Sequence, residues 1–438
     1  MASKFVMPQL AMARRQMGTM AIKTVDGPKA HRVESSLLPS GLKVSSLDSD
    51  LSAMSTIGVL VKSGSSYESY ENLGASHAIR LGAGNLTTKN ATSFGIVRNI
   101  QQIGGHINVI GSREYLLYLL TVPRSTINDS FDYFNELISQ PSFKPWEISD
   151  QITLRMMAEI KNMDMATCAV EALHKAAYRH GLGNSLFSPE YMVSNHDQDM
   201  LQAFHTKTHT VTRTAISGHG IDHGTLSRLG NSLSLDKGHG ITQPSQYFGG
   251  EVREIDSGSQ TVIAIGGESG PADNAREAMA FTLLKIVLGT GTNIKRGNLN
   301  GKLGKAVAKI EGNVAAGGFN FSYRDTGLAG ALITCESGIA GHVVSTVLAE
   351  LRSLTVTDEE LQAAKNAFLI ETFENSSKSE IVAETLASNV MSGVESASEM
   401  INMISASDVN AAAKKLVNGK LSMGAVGNLK NVPYLDTM

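Results

Sequence analysis

A repeat constrains this chain more than any other feature. The stretch Val211-Thr-Arg-Thr-Ala-Ile-Ser-Gly218 returns in pattern as Leu421-Ser-Met-Gly-Ala-Val-Gly427, a short apolar run closed by glycine. Gly104-Gly-His-Ile-Asn108 returns as Gly317-Gly-Phe-Asn320, and Arg80-Leu-Gly-Ala-Gly84 as Val287-Leu-Gly-Thr-Gly291. All three pairs lie about 210 residues apart, and a shared offset marks a duplicated domain. At 438 residues the chain is also too long for one ordinary hydrophobic core.

Each copy mixes two periodicities. Strand-like runs cover Thr56–Lys62, Tyr115–Val122, Val211–Ser217, Thr261–Ile265 and Gly330–Thr334. Helix-like runs cover Ile148–Asn162, Ala275–Leu288, Gly341–Leu354, Asp358–Phe373 and Ala406–Val417. Thr357-Asp-Glu-Glu360 and Ser405 with Asp408 supply start signals for the last two helices. Strands come in groups without strict alternation with helices, so the expected class is α+β. It consists of two homologous halves, each a mainly antiparallel sheet flanked by helices, around a central cavity. The polar, glycine-containing stretch Asp236–Ser245 reads as the linker, which sets the halves at 31–235 and 246–438.

Composition narrows the function classes. Hydrophobic residues at 42% and charged residues at 18% describe a globular protein, and a net charge of -3 gives no basic surface for nucleic acid. No apolar run reaches the roughly 18 residues of a membrane span, so membrane association would come through partners only. Cys168 and Cys335 are too few for a disulfide framework and read as free thiols. Neither a haem-attachment motif nor an iron–sulfur cysteine set occurs, so no redox centre is expected on this chain. Residues 1–30 stand apart: Lys4, Arg14, Arg15 and Lys23 precede the first acid, Asp26. That composition fits a mitochondrial transit peptide, with a disordered tail as the other reading.

A series of motifs then appears in order. Leu38-Pro-Ser-Gly-Leu-Lys-Val44, Lys62-Ser-Gly-Ser-Ser-Tyr-Glu68, Asn72-Leu-Gly-Ala-Ser-His77, Gly104-Gly-His-Ile-Asn108 and Ser112-Arg-Glu-Tyr115 come first. Leu173-His-Lys-Ala-Ala-Tyr-Arg179 and Gly181-Leu-Gly-Asn184 follow. In this order they resemble the processing-peptidase and pitrilysin family of inverted-motif zinc peptidases, over nearly the whole chain. Active members carry H-x-x-E-H on a helix: two histidines bind zinc and the glutamate serves as general base. Here the matching residues are His77-Ala-Ile-Arg-Leu81, so Arg80 stands at the base position and Leu81 at the second ligand position. The family's third ligand, a glutamate, aligns with Met156; Glu159 is near but out of register. A catalytic zinc needs three protein ligands and a water, and arginine cannot take a proton from water. The resemblance therefore implies a degenerate motif at His77, Arg80 and Leu81, with no catalytic residue, metal or cofactor.

Within the family, the second half resembles the second-core-protein branch found in ubiquinol–cytochrome c reductase, respiratory complex III. Asn320-Phe-Ser-Tyr-Arg-Asp-Thr-Gly-Leu328 is shared with the peptidases. Leu288-Gly-Thr-Gly-Thr-Asn-Ile-Lys-Arg-Gly297, Gln362-Ala-Ala-Lys-Asn366, Asn410-Ala-Ala-Ala-Lys-Lys-Leu-Val417 and Gly427-Asn-Leu429 point to that branch. The resemblance implies a noncatalytic structural subunit, peripheral on the matrix side of the mitochondrial inner membrane. Its implied partners are a homologous first core protein and the cytochrome and iron–sulfur subunits. The competing reading is a noncatalytic subunit of a presequence-processing peptidase, whose long glycine-rich loop is not evident here.

Other candidate sites resolve to plainer readings. His205 and His209 have ligand spacing but no third ligand nearby, so they are expected to be solvated at a helix end. His174 and His180 read as packing or surface groups. The glycines and lysines of 289–305 lack the spacing of a phosphate loop. Asn108 and Glu114 match family positions near the peptidase cleft and, without metal, are left a structural or peptide-binding role.

Overall fold

The structure is a computed structural model describing residues 32–48, 52–238, 244–289, 301–393 and 400–437. The transit-like segment, the middle of the expected linker and most of Leu288–Gly297 lie outside the described residues. The strands run β1 Val33–Leu37, β2 Lys43–Leu47, β3 Met54–Val61, β4 His106–Gly111, β5 Leu116–Pro123 and β6 Thr214–His219 in the first half. The second half holds β7 Gly250–Ile255, β8 Gln260–Ser269, β9 Val314–Ser322, β10 Gly327–Glu336 and β11 Leu421–Gly427.

The two sheets have one topology. Their orders are β1-β2-β6-β3-β5-β4 and β7-β11-β8-β10-β9, which coincide once β1 is set aside. In each, one pair is parallel, β2 with β6 and β7 with β11, and every other pairing is antiparallel. The repeated sequence motifs fall on matching strands, β6 with β11 and β4 with β9. The class is thus α+β with two homologous halves, as the sequence implied.

The longer helices of the first half are α1 Ala75–Gly82, α2 Ser93–Gln102, α3 Ile127–Ser139, α4 Thr153–Lys161, α5 Met165–Tyr178, α6 Gln198–Thr208 and α7 His223–Asn231. Those of the second are α8 Ala275–Leu288, α9 Ala340–Arg352, α10 Asp358–Ser376, α11 Ser379–Ser392 and α12 Ala406–Asn418. Thr357 and Ser405 close capping boxes with Glu360 and Asp408, which satisfies otherwise orphaned amides at the starts of α10 and α12. The helix expected over 148–162 is broken by a π turn at Ile148–Ile152 before α4 begins. The strand expected from Val211 starts at Thr214, because residues 211–213 form a 3-10 turn.

Each sheet is covered on both faces, but not by its own helices alone. The first sheet packs one face on α1, α2, α3 and α6 through Ile79, Ile96, Phe131 and Phe204; the second packs on α8, α9, α10 and α12. The opposite faces are exchanged. Helix α5, from the first half, lies on the second sheet, where Ala169, Leu173 and Ala177 meet Val262, Ala264, Leu328 and Val426. Helix α11, from the second half, lies on the first sheet, where Ala383 and Ala387 meet Leu60, Leu117 and Leu119. Glycine makes the first contact possible: a Cβ at Gly424 would stand 2.3 Å from the Leu173 amide nitrogen. The start of the expected linker is tied back to the first half, with Val211 donating to the Asp236 carbonyl at 3.0 Å.

Candidate functional site

Helix α1 presents the degenerate motif. No side chain of its own N-cap residue, Gly74, closes its start. The carboxylate of Glu68 does so instead, accepting from the amides of Gly74 and Ser76 at 2.8 Å each and from the Ser76 hydroxyl at 2.6 Å. A buried carboxylate at a helix N-terminus suits the dipole, yet burial pushes the Glu68 pKa up to about 7, against these hydrogen bonds. This anchoring was not recognised from sequence; an acid a few residues ahead of a helix without a capping side chain is the signal that could have shown it.

His77 points from α1 into a cleft of about 350 Å³ lined also by Ser76, Arg80, Ser112, Glu159 and Phe187. Its Nδ1 accepts from the Ser188 amide at 3.1 Å, so the ring proton sits on Nε2, which donates to Glu159 Oε2 at 3.0 Å. Burial, only partly offset by Glu159, lowers the His77 pKa to about 4 and keeps the ring neutral. The Arg80 guanidinium caps the same Glu159 carboxylate through both terminal nitrogens. Burial acts to raise the Glu159 pKa, but the hydrogen bonds and charge of Arg80 and His77 together outweigh it and lower the value. Leu81 packs against the edge of the first core.

The acid near the expected third-ligand position does reach His77. Met156 is buried in the core, 1% exposed, and it is Glu159 that faces His77. The two positions lie three residues, nearly one turn, apart on α4, with Met156 turned into the core and Glu159 towards α1. His77 and Glu159 thus stand in contact as two potential ligands. They still do not fit a metal. Leu81 offers no donor, the guanidinium occupies the carboxylate, and a metal at Nε2 would require the ring proton on Nδ1, where Ser188 already donates. Among the described residues no group of three potential ligands stands together.

The other candidates are structural. His205 and His209 are not solvated: they are 4% and 3% exposed, with rings stacked 3.9 Å apart. His205 continues the buried stripe Leu201, Phe204, Thr208 of α6, a helical spacing that overrides its polarity. His205 Nε2 donates to the Ile138 carbonyl at 2.8 Å, and His209 Nε2 meets the Tyr118 hydroxyl at 2.9 Å. His174 is fully buried between the halves, donating from Nδ1 to the Val170 carbonyl and accepting from the Tyr323 hydroxyl at 2.8 Å; His180 is exposed. Asn108 and Glu114 both reach across to the second half: Asn108 donates to Glu380 on α11, and Glu114 accepts from the Arg324 amide at 3.1 Å.

Residues 43–190 match the family described as Insulinase (Peptidase family M16), and residues 196–368 match the Peptidase M16 inactive domain. The chain is 32% identical to Cytochrome b-c1 complex subunit 2, mitochondrial, of Homo sapiens, covering 94% of this chain and 93% of that one. The Mus musculus protein of the same name is 34% identical, covering 93% and 92%. Mitochondrial-processing peptidase subunit alpha of Solanum tuberosum is 26% identical, covering 92% and 83%.

Proposed function

The chain belongs to the insulinase-type peptidase family M16, and from that premise we propose that it is a noncatalytic structural core subunit of the mitochondrial cytochrome b-c1 complex. That complex is the ubiquinol–cytochrome c reductase of the respiratory chain. The observation that carries the proposal is likeness over nearly the full length: 32–34% identity to the human, mouse and rat subunit 2 of this complex. Relatives named as processing-peptidase alpha subunits reach 24–26%.

The site supports the noncatalytic half of the reading. A peptidase of this kind needs a metal-activated water and a base to take its proton. Here the base position holds a guanidinium, which offers donors and no acceptor for a proton, and its partner Glu159 is engaged by Arg80 and His77. The chain contributes surface and shape, and redox chemistry belongs to other subunits. Among the described residues no helix is long and apolar enough to cross a membrane. Attachment to the inner membrane, on its matrix side, then runs through a homologous first core protein and the cytochrome and iron–sulfur subunits.

Two measurements test this. After mild detergent solubilisation of mitochondria, the chain should migrate with the cytochrome subunits on a native gel. Its depletion should lower ubiquinol–cytochrome c activity while presequence removal continues. Normal complex levels alongside accumulating uncleaved precursors would reverse the assignment in favour of a processing-peptidase partner. Elemental analysis of the purified chain should find no stoichiometric zinc, and one tightly held zinc per chain would refute the metal-free site.

A further inference from the structure

Arg80 occupies the base position of the zinc-peptidase motif, yet its side chain contacts Glu159, the acid that faces His77. We propose that the Arg80 guanidinium takes over the bridging role of the metal, joining α1 to α4 through Glu159, so that the degenerate centre keeps its shape as a built-in ion pair. The inference rests on the metal-free reading above and extends it from the loss of a function to the gain of a replacement.

In an intact centre a divalent cation draws together ligands from two separate helices. Here both groups that engage Glu159 come from α1 and lie one turn apart. His77 donates to Oε2, and Arg80 reaches Oε2 as well as Oε1, the latter at 3.5 Å. A single carboxylate on α4 is thereby held by two donors on α1, a fork that a lysine could not reproduce. The space for it is provided by Gly111 at the end of β4: a Cβ there would stand 2.9 Å from Arg80 Cδ. Leu81, at the lost ligand position, leaves the polar centre and packs on the core. An isolated surface ion pair contributes little. This one differs because the carboxylate is also bonded to a histidine that is 1% exposed and is itself fixed by the Ser188 amide.

The test uses the full chain in its purified complex and reads amide hydrogen exchange in Ala75–Gly82 and Thr153–Lys161, beside the thermal midpoint. In Arg80→Met, protection in both helices should fall at least severalfold, while protection in the second sheet is unchanged. Arg80→Lys should recover part of the loss. Glu159→Gln should reproduce it, and adding Glu159→Gln to Arg80→Met should cost little more, because both changes remove one interaction. If Arg80→Met prevents assembly, Glu159→Gln, which preserves size, carries the test alone. Unchanged protection in Glu159→Gln, or losses that simply add in the double variant, would overturn the proposal. Zinc found in the wild-type chain would remove the metal-free reading and this inference together. A zinc-free chain with unchanged exchange would remove the inference only.

Discussion

At the scale of single residues, the molecule carries several histidines that folding keeps neutral. Burial lowers His77 and His205 to about 4 and takes His174 and His209 well below their ordinary value. Unfolding releases these rings to water, where each regains a pKa near 6.5. Between those values the unfolded chain binds more protons, so stability is lost as pH falls from about 6.5 towards 4. His77 and His205 each contribute on the order of 3 kcal/mol to that loss. Glu68 acts in the opposite sense. Its folded pKa, pushed up to about 7 by burial, makes the folded form the better proton binder between about 4.5 and 7, so its contribution declines as pH rises through that window. The histidines outnumber it, and the thermal midpoint should fall on acidification. His205→Gln, which keeps a donor for the Ile138 carbonyl, should flatten that fall, and Glu68→Gln should steepen it. A midpoint independent of pH between 4 and 6.5 would show that these rings are not held neutral.

At the scale of elements, the exchanged helices matter most. Helix α5 is capped by Asp164 and consists largely of alanine on the side that meets the second sheet. Its polar groups are also matched: Glu171 binds the buried Arg113 at 2.7 Å, and the Tyr178 hydroxyl donates to the Gly327 carbonyl at 3.0 Å. A substitution in the first half's sequence should therefore weaken the second half's sheet. Leu173→Ala removes a fully buried side chain from this contact and should cost about 2–5 kcal/mol. Residue-resolved hydrogen exchange should place the lost protection in β8 and β11; a loss confined to β2, β3 and β5 would contradict the exchange of helices. Parts of this were legible earlier. The strand β5, Leu-Leu-Tyr-Leu-Leu-Thr-Val-Pro, is apolar without alternation, the pattern of a strand covered on both faces. What covers its second face, a helix more than 250 residues away in sequence, has no local signal.

At the scale of the whole molecule, the halves are homologous, and each sheet is covered on one face by a helix of the other half. A fragment ending at 238 would lack α11 and expose Leu60, Leu117 and Leu119; a fragment starting at 244 would lack α5 and expose Val262, Ala264 and Val426. Produced alone, each should aggregate or melt without cooperativity, and co-expressed they should form a soluble pair, as seen by size-exclusion chromatography. A fragment 32–238 that is monomeric with a sharp thermal transition would show that α11 is dispensable. Composition, repeat and motif order by themselves determined the duplicated α+β architecture and the family, because each is written in local pattern or in residue identity. Only the tertiary structure decided that Glu159 faces His77, that His205 and His209 are buried, and that each half closes the other. Those outcomes depend on packing between segments far apart in the chain, which leaves no mark in the spacing of residues.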